Sequence, residues 1–169
     1  ELAVEKLAQW QKDGRDDLYI SVNISTKDFC YMDVYKTITS LVEKYKIVPS
    51  TLKLEITETA IMTGTAGEIE IIEQFRKYGF EVEIDDFGSG YSSLNMLKDV
   101  KVDALKLDRV FFESGDNDER GKDIIQSVIK LAQALDLHTI SEGVEERKQV
   151  EFLKEMHCDL IQGYVFAKP

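Results

Sequence analysis

The stretch that decides the fold is EIDDFGSGYSSL, residues 83–94, in which two adjacent aspartates end a short apolar-bearing run and a glycine-serine loop follows at once. The run before Asp85 is typical of a strand, and glycines allow the loop to move and to approach closely. Like charges that are adjacent and partly shielded from water are expected to repel each other and to raise one another's pKa, and this expectation applies to Asp85 and Asp86. The stretch predicts a strand end that binds a positive group, first of all a divalent cation. Removing the charge of Asp85 is accordingly expected to stabilise the metal-free fold.

Five other strand-like runs accompany this one, separated by stretches with helical spacing. The six runs are LYISVNIS (18–25), LKLEITE (52–58), EVEIDDF (81–87), DALKLD (103–108), LHTISEGV (137–144) and DLIQGYVF (159–166). Alternating strands and helices are typical of a parallel sheet covered by helices, and hence of the α/β class. Six strands suit an open doubly wound sheet, and they also suit most of an eight-stranded barrel.

Polar side chains in the second half of every run distinguish these two folds. They are Asn23, Glu55, Asp85 with Asp86, Lys106, Glu142 and Gln162. In an open sheet only the strands at the switch point supply site residues, whereas a barrel gathers the carboxyl ends of all its strands at one mouth. The pattern therefore favours a TIM-like (β/α)₈ barrel. A complete barrel has about 250 residues, so the 169 residues predict a single domain, 1–169, about two strands short.

Four of these residues are oxygen donors: Asn23, Glu55, Asp85 and Asp86. Such ligands suit Mg²⁺ or Mn²⁺ better than zinc or copper. Adjacent aspartates that point to different sides could hold two ions, the arrangement that activates water and clamps a phosphoryl group. The sequence thus predicts a two-metal site.

The remaining strand-end residues are candidate catalytic groups. Lys106 could stabilise developing negative charge or orient the water, and Glu142 could be a general base or a ligand of the second metal. Gln162 could fix a water or a ligand edge by hydrogen bonds. Taken singly, strand-end polar residues are explained as well by helix capping, and Lys106 by an ion pair with Glu83. The joint pattern favours a site.

Composition excludes some functions. The net charge of −11 argues against a partner that is a nucleic-acid polymer, because phosphates need basic surface. Cys30 and Cys158 match neither a disulfide framework nor a zinc spacing, so we expect reduced thiols in a cytoplasmic protein. No apolar run approaches the about 20 residues of a membrane span, so no membrane contact is expected from this segment.

Six segments, in chain order, resemble the EAL-domain family of cyclic di-GMP phosphodiesterases. They are SVNIS, LEITE, DDFGSGYSSL, LKLD, SEGVE and QGYVFAKP, and the resemblance covers essentially the whole chain. It implies a variant (β/α)₈ barrel and Mg²⁺- or Mn²⁺-dependent hydrolysis of cyclic di-GMP to linear pGpG. It also implies a possible homodimer and, upstream, a possible sensor or cyclase domain.

Individual roles also follow from the resemblance. The four oxygen donors match family metal ligands, and Lys106, Glu142 and Gln162 match residues of the catalytic site. Glu58 matches a glutamate that anchors a mobile loop. The loop residues that match are Phe87, Gly88, Ser89, Gly90, Tyr91 and Ser92.

The chain departs from the family at its beginning. The Glu-Ala-Leu motif on the family's second barrel strand, whose glutamate is another metal ligand, has no counterpart here, since the letters ELA at residues 1–3 open a helix. We therefore expect an N-terminally truncated barrel with impaired hydrolysis. The alternative is a receptor or interaction module that binds cyclic di-GMP without cleaving it. A metal-dependent lyase with Lys106 as the base ranks third.

Overall fold

The computed structural model describes residues 1–89, 94–112 and 119–168. The chain divides into two compact units. The N-terminal unit comprises Glu1–Glu83 and Ser93–Val102, and the C-terminal unit comprises Ile84–Ser92 and Asp103–Pro169.

Six strands form one parallel sheet in the order β1-β2-β3-β4-β5-β6. They are β1 (Ile20–Asn23), β2 (Leu52–Thr57), β3 (Val82–Phe87), β4 (Ala104–Leu107), β5 (His138–Ser141) and β6 (Leu160–Ile161). The division between the two units falls inside β3. Within each unit, parallel pairing brings the carboxyl ends of the strands to the same edge.

Eight α-helices and two short 3₁₀ helices accompany the strands in the described part of the chain. They are α1 (Leu2–Lys12), α2 (Thr26–Tyr31), α3 (Val34–Tyr45), α4 (Glu58–Thr63), α5 (Ala66–Tyr78), α6 (Leu94–Asp99), α7 (Glu119–Ala134) and α8 (Arg147–Glu155), with 3₁₀ turns at Pro49–Thr51 and Arg109–Phe112. Among the described residues, no helix combines the length and the apolar character that a membrane crossing needs.

Strand β2 shows how the N-terminal unit separates its core from its charged groups. Leu52, Leu54 and Ile56 are at most 2% exposed. They alternate with Lys53 and Glu55, because successive side chains of a strand point to opposite faces. One face of β2 therefore packs in the apolar core and the other carries charge.

Strand β4 is buried on both faces in the C-terminal unit. Leu105 and Leu107 are fully buried, and Lys106 between them is 6% exposed. Strands of a parallel sheet covered on both sides are normally apolar throughout. A lysine at this position needs compensating negative charge, which identifies it as the starting point for a functional site.

The structure confirms the α/β class and the six predicted strands, and it adds two short helices. Helix α2 begins after the cap Ser25, whose side chain and that of Asp28 form a capping box. Helix α4 begins directly after β2, because the Thr57 hydroxyl accepts the Ala60 N–H. Glu58, predicted at the end of the strand run, is therefore the first residue of a helix. Both helices are too short for hydrophobic periodicity to reveal them.

Candidate metal and phosphodiester site

Asn23 and Glu55 lie side by side in the N-terminal unit. They are opposite each other in the register of β1 and β2, so both side chains leave the same face of the sheet. Glu55 is 9% exposed and Asn23 is exposed. An amide oxygen beside a carboxylate provides two ligands of the type that Mg²⁺ and Mn²⁺ prefer.

The C-terminal unit holds a buried lysine between two acids. The Lys106 Nζ atom lies 2.8 Å from Asp85 Oδ1 and 2.8 Å from Glu142 Oε1. The side chains are 7%, 13% and 25% exposed in that order, so the two ion pairs are largely shielded from water. The acids are supplied by β3 and by the residue after β5. Three residues far apart in the sequence thus converge on one point.

Asp85 Oδ1 is buried and makes no hydrogen bond of good geometry within the described part of the chain. The ammonium of Lys106 reaches it as an ion pair rather than along a directed hydrogen bond. A buried carboxylate oxygen is normally stabilised by directed donors as well as by a counter-charge, and the described residues give this oxygen only the counter-charge. Its chemistry fits a metal ligand, and this supports the predicted role of Asp85.

Asp86 has an unusual backbone conformation and an unusual carboxyl group. Its φ of 55° lies in the left-handed region, which non-glycine residues seldom adopt and which occurs often at functional sites. Burial raises the pKa of its carboxyl, and the charges of Asp85, Asp108 and Glu142 raise it further. Adjacent aspartates were expected to repel each other, and this effect on Asp86 agrees with that expectation.

Gln162 is held in place by its backbone. Its N–H donates to the Ser141 carbonyl at 2.8 Å, and its own carbonyl accepts the Val144 N–H at 3.1 Å. The side chain is exposed. This position is at the same edge of the unit as Glu142, which follows Ser141, and the role predicted for the amide stays a prediction.

The acids do not by themselves define a compact metal cluster. Over residues 1–89, 94–112 and 119–168, no three His, Cys, Asp or Glu side chains converge into a metal-binding group. The metal prediction therefore rests on two separate pairs of donors, Asn23 with Glu55 and Asp85 with Asp86. Cys30 and Cys158 are free thiols, as expected.

Comparison with known protein families identifies the family to which this chain belongs. The EAL domain family matches residues 1–169, the whole of this chain.

The chain belongs to the EAL domain family.

Two curated relatives and one solved structure illustrate how similar this EAL domain is to known members. It is 37% identical over 156 residues to a Pseudomonas aeruginosa protein named cyclic di-GMP phosphodiesterase NbdA, covering 92% of this chain and 20% of that protein. It is 32% identical over 166 residues to the Escherichia coli protein named cyclic di-GMP phosphodiesterase PdeR, covering 98% and 25%. A solved structure, the PaMucR phosphodiesterase in complex with c-di-GMP, superposes with a TM-score of 0.91 at 33% identity, covering 99% and 68%. This EAL domain thus spans only a fifth to a quarter of these curated relatives.

The loop assigned to the EAL domain is described only in part. Gly90, Tyr91 and Ser92 lie outside the described residues. Phe87 is the last residue of β3, as the predicted run 81–87 implies, and it is 1% exposed. Its assignment to the loop stays a prediction. Glu58 is 3% exposed at the start of α4, and its anchoring role stays a prediction.

Asp108 is the acid that sequence reasoning missed. Its carboxyl contributes to the raised pKa of Asp86, and its Oδ1 accepts the Val110 N–H at 2.7 Å. The residue was visible as the last letter of LKLD, directly after β4. The signal that could have found it is the same one used elsewhere, a polar residue at the carboxyl end of a strand.

Replacing Asp86 with asparagine is expected to raise the free energy of unfolding of the metal-free EAL domain at pH 7. The folded state raises the pKa of Asp86, so its ionisation costs stability as the pH rises through that value. Below the unfolded pKa of about 3.9 this cost disappears. Asparagine also tolerates positive φ. Urea unfolding with a chelator, at pH 7 and near pH 4, should show a gain that shrinks on acidification.

Asp159→Asn is the matched control, for which the change in the free energy of unfolding should have the opposite sign. Burial alone would raise the pKa of Asp159, but hydrogen bonds from the Thr139 N–H and hydroxyl, at 2.8 and 3.0 Å, outweigh it and lower the pKa. This variant should lose stability at pH 7, and the loss should diminish as the pH falls. An Asp86→Asn variant that is less stable than the parent at pH 7 would contradict the electrostatic account.

Proposed function

We propose that this EAL domain hydrolyses one phosphodiester bond of cyclic di-GMP and releases linear pGpG. Family membership and similarity to proteins named cyclic di-GMP phosphodiesterases support this reaction. The observation that carries it is the buried Lys106, whose Nζ lies 2.8 Å from both Asp85 and Glu142. A cation is needed where a ligand with two phosphates meets a chain with a net charge of −11.

The proposed cofactor is Mg²⁺ or Mn²⁺ in a two-metal site. Asn23, Glu55, Asp85 and Asp86 would hold it, and their oxygen donors are of the right chemical type. The buried Asp85 Oδ1, which lacks a hydrogen bond of good geometry in the described residues, supports this assignment. When bound, a divalent cation lowers the pKa of water and neutralises charge on a phosphoryl group.

The residues of the chain itself supply a proton acceptor and a positive charge. Glu142 is 25% exposed in its side chain, so water can reach the carboxylate that is proposed to accept its proton. Lys106 is proposed to stabilise the negative charge that develops on the phosphoryl oxygens in the transition state. Gln162 would orient the ligand or the water by hydrogen bonding. Glu58 would steady the predicted loop, which begins at Phe87.

The location and the partners of the domain are part of the same proposal. We infer a cytoplasmic domain whose partner is cyclic di-GMP rather than a nucleic-acid polymer or a membrane. A homodimer and an upstream sensor or cyclase domain are further predictions from the family resemblance.

Replacing Lys106 with methionine is expected to lower pGpG release by about 10²–10³-fold. The reason is the loss of one preorganised charge, about 3–4 kcal/mol of transition-state stabilisation. Glu142→Gln tests the proposed proton acceptor in the same assay, with Mn²⁺ and cyclic di-GMP. Lys122→Met is the control, since Lys122 pairs with Glu119 on the surface of α7 at 3.1 Å.

Three outcomes separate the possible functions. Release of pGpG that depends on Mn²⁺, Lys106 and Glu142 supports the phosphodiesterase. Binding of cyclic di-GMP without hydrolysis, unaffected by Mn²⁺, would replace it by a receptor function. A chain that neither binds nor cleaves cyclic di-GMP refutes the proposal.

A further inference from the structure

Two glycines that follow the acidic groups of the C-terminal unit leave no room for a side chain. A Cβ atom built on Gly88 would lie 2.1 Å from Phe111 Cζ, and one built on Gly143 would lie 2.4 Å from Arg109 Cβ. Both glycines have left-handed φ values, 95° and 63°. Phe111 and Arg109 belong to the same 3₁₀ helix, Arg109–Phe112. One short helix therefore lies in close contact with the loops on both of its sides.

We propose that this 3₁₀ helix positions the acidic groups of the site, with Phe111 as the positioning residue for the Asp85–Asp86 pair. The helix lies between the turn that follows Asp86 and the turn that follows Glu142. It would thereby set the gap that Lys106 bridges. The inference rests on the proposed function for its consequence in metal binding, but its structural part is tested separately below.

The Asp86 side of this arrangement is a strained turn held from several directions. The Ser89 N–H closes it by donating to the Asp86 carbonyl at 3.1 Å, and Asp86 itself has a φ of 55°. The Asp108 N–H donates to the Phe87 carbonyl at 3.3 Å. A non-glycine residue stays in the left-handed region only when its surroundings fix it there. The Phe111 ring, packed on Gly88, is the apolar part of those surroundings.

The Glu142 side is held in a similar way. The Glu142 N–H donates to the Leu107 carbonyl at 3.0 Å, which continues the pairing of β4 and β5 past the end of the strand. Gly143 then turns in the left-handed region against the aliphatic carbons of Arg109. A larger residue would push the turn away from the 3₁₀ helix, and the Glu142 carboxylate would move with it.

The 3₁₀ helix is itself well anchored. Asp108 begins it, because Asp108 Oδ1 accepts the Val110 N–H at 2.7 Å and its carbonyl accepts the Phe111 N–H at 3.3 Å. The helix also contacts α7. Because the 3₁₀ helix is anchored and contacts both turns, its position fixes theirs. A substitution at Phe111 should therefore displace Asp85 and Asp86 although their own side chains are unchanged.

The test compares Phe111→Ala with Phe111→Leu, with Val110→Ala as the matched control. Val110 is in the same helix and is 36% exposed. Two readouts are used on the full chain: Mn²⁺ affinity by electron paramagnetic resonance, and hydrogen exchange of the Ser89 amide by nuclear magnetic resonance with a chelator present. Circular dichroism and urea unfolding report whether each variant folds.

Phe111→Ala is expected to weaken Mn²⁺ binding about tenfold or more and to speed exchange of the Ser89 amide. Phe111→Leu should restore most of both properties, because it retains apolar volume against Gly88. Val110→Ala should match the parent. A folded Phe111→Ala variant with the parent's Mn²⁺ affinity and Ser89 exchange overturns the proposal.

The role of Phe111 can be tested even if the parent binds no Mn²⁺ or if Phe111→Ala does not fold. If the parent binds no Mn²⁺, the metal proposal fails, and unchanged Ser89 exchange in Phe111→Ala would then overturn the support role as well. If Phe111→Ala does not fold, Gly88→Ala is combined with Phe111→Leu. Leucine is expected to relieve part of the Gly88→Ala defect in Ser89 exchange, since the added Cβ meets the ring. Strictly additive effects of the two substitutions would overturn the proposal.

Discussion

Asp85→Asn is expected to lower pGpG release by at least about 10³-fold, the largest effect on activity among the single substitutions considered. Asparagine keeps the shape of the side chain but removes the charge that a divalent cation needs from a ligand. The change also removes the negative charge of one acid that pairs with Lys106. The measurement is pGpG release with Mn²⁺, together with Mn²⁺ affinity of the same samples.

The control for Asp85→Asn is Asp123→Asn, which removes a negative charge from the exposed surface of α7. It should leave both activity and Mn²⁺ affinity unchanged, because exposed charges are screened. Parent-like activity in Asp85→Asn would contradict the assignment of Asp85 as a metal ligand.

The structure reverses the expectation for the stability of Asp85→Asn. Two adjacent acids suggested that losing one charge would stabilise the metal-free fold. Lys106 Nζ, however, lies 2.8 Å from Asp85 Oδ1 at a site where the side chains are 7% and 13% exposed. Weakening a shielded ion pair leaves a buried ammonium with less compensation, so we expect the metal-free variant to be less stable than the parent. Of the two substitutions, only Asp86→Asn is expected to make the metal-free protein more stable.

Lys53→Met is expected to lower the free energy of unfolding by about 3–5 kcal/mol, the largest effect on stability. Lys53 Nζ lies 3.1 Å from Glu83 Oε1 and 2.9 Å from Glu81 Oε2. Glu83 is 1% exposed, so the variant leaves a buried carboxylate without this counter-charge. Burial alone would lower the pKa of Lys53, but the hydrogen bond to Glu81 and the charge of Glu83 outweigh it and raise the pKa.

The pH dependence of Lys53→Met distinguishes charge from packing. Loss of the neighbouring ammonium should raise the folded pKa of Glu83 relative to the parent. The deficit in stability should therefore be largest near pH 7 and shrink towards pH 5. A deficit that is equal at both pH values would indicate lost packing rather than the lost counter-charge.

Lys77→Met is the matched control for Lys53→Met. Lys77 pairs with Glu73 on the exposed surface of α5 at 3.6 Å, with the lysine side chain 76% exposed. Exposed pairs of this kind contribute about 0–1 kcal/mol. Urea unfolding at pH 7 should therefore separate the two lysine variants clearly.

The strands could be predicted because their signals are local. Alternation of apolar and polar residues in runs such as LKLEITE depends only on the period of a strand, and the structure confirms a strand at Leu52–Thr57. The short helix α4 was missed because its six residues do not complete two turns of a helical pattern.

The pairing of Lys106 with Asp85 and Glu142 could not be predicted from the sequence. Only Glu83 had been considered as its partner, and the structure places Lys106 Nζ 2.8 Å from both Asp85 Oδ1 and Glu142 Oε1. Which of several acids a lysine meets depends on the register of strands that are tens of residues apart. A shift of one residue would turn each side chain to the other face.

By itself, the sequence determined the parallel α/β architecture and the positions of the polar residues at the strand ends, because both follow from short-range periodicity and motif order. Only the tertiary structure decided that Lys106 bridges Asp85 and Glu142, that Asp86 adopts a left-handed conformation, and that the 3₁₀ helix Arg109–Phe112 contacts Gly88 and Gly143. These features arise from contacts between segments distant in the chain. Their geometry is fixed by how neighbouring strands and loops pack, and local residue preferences do not contain that information.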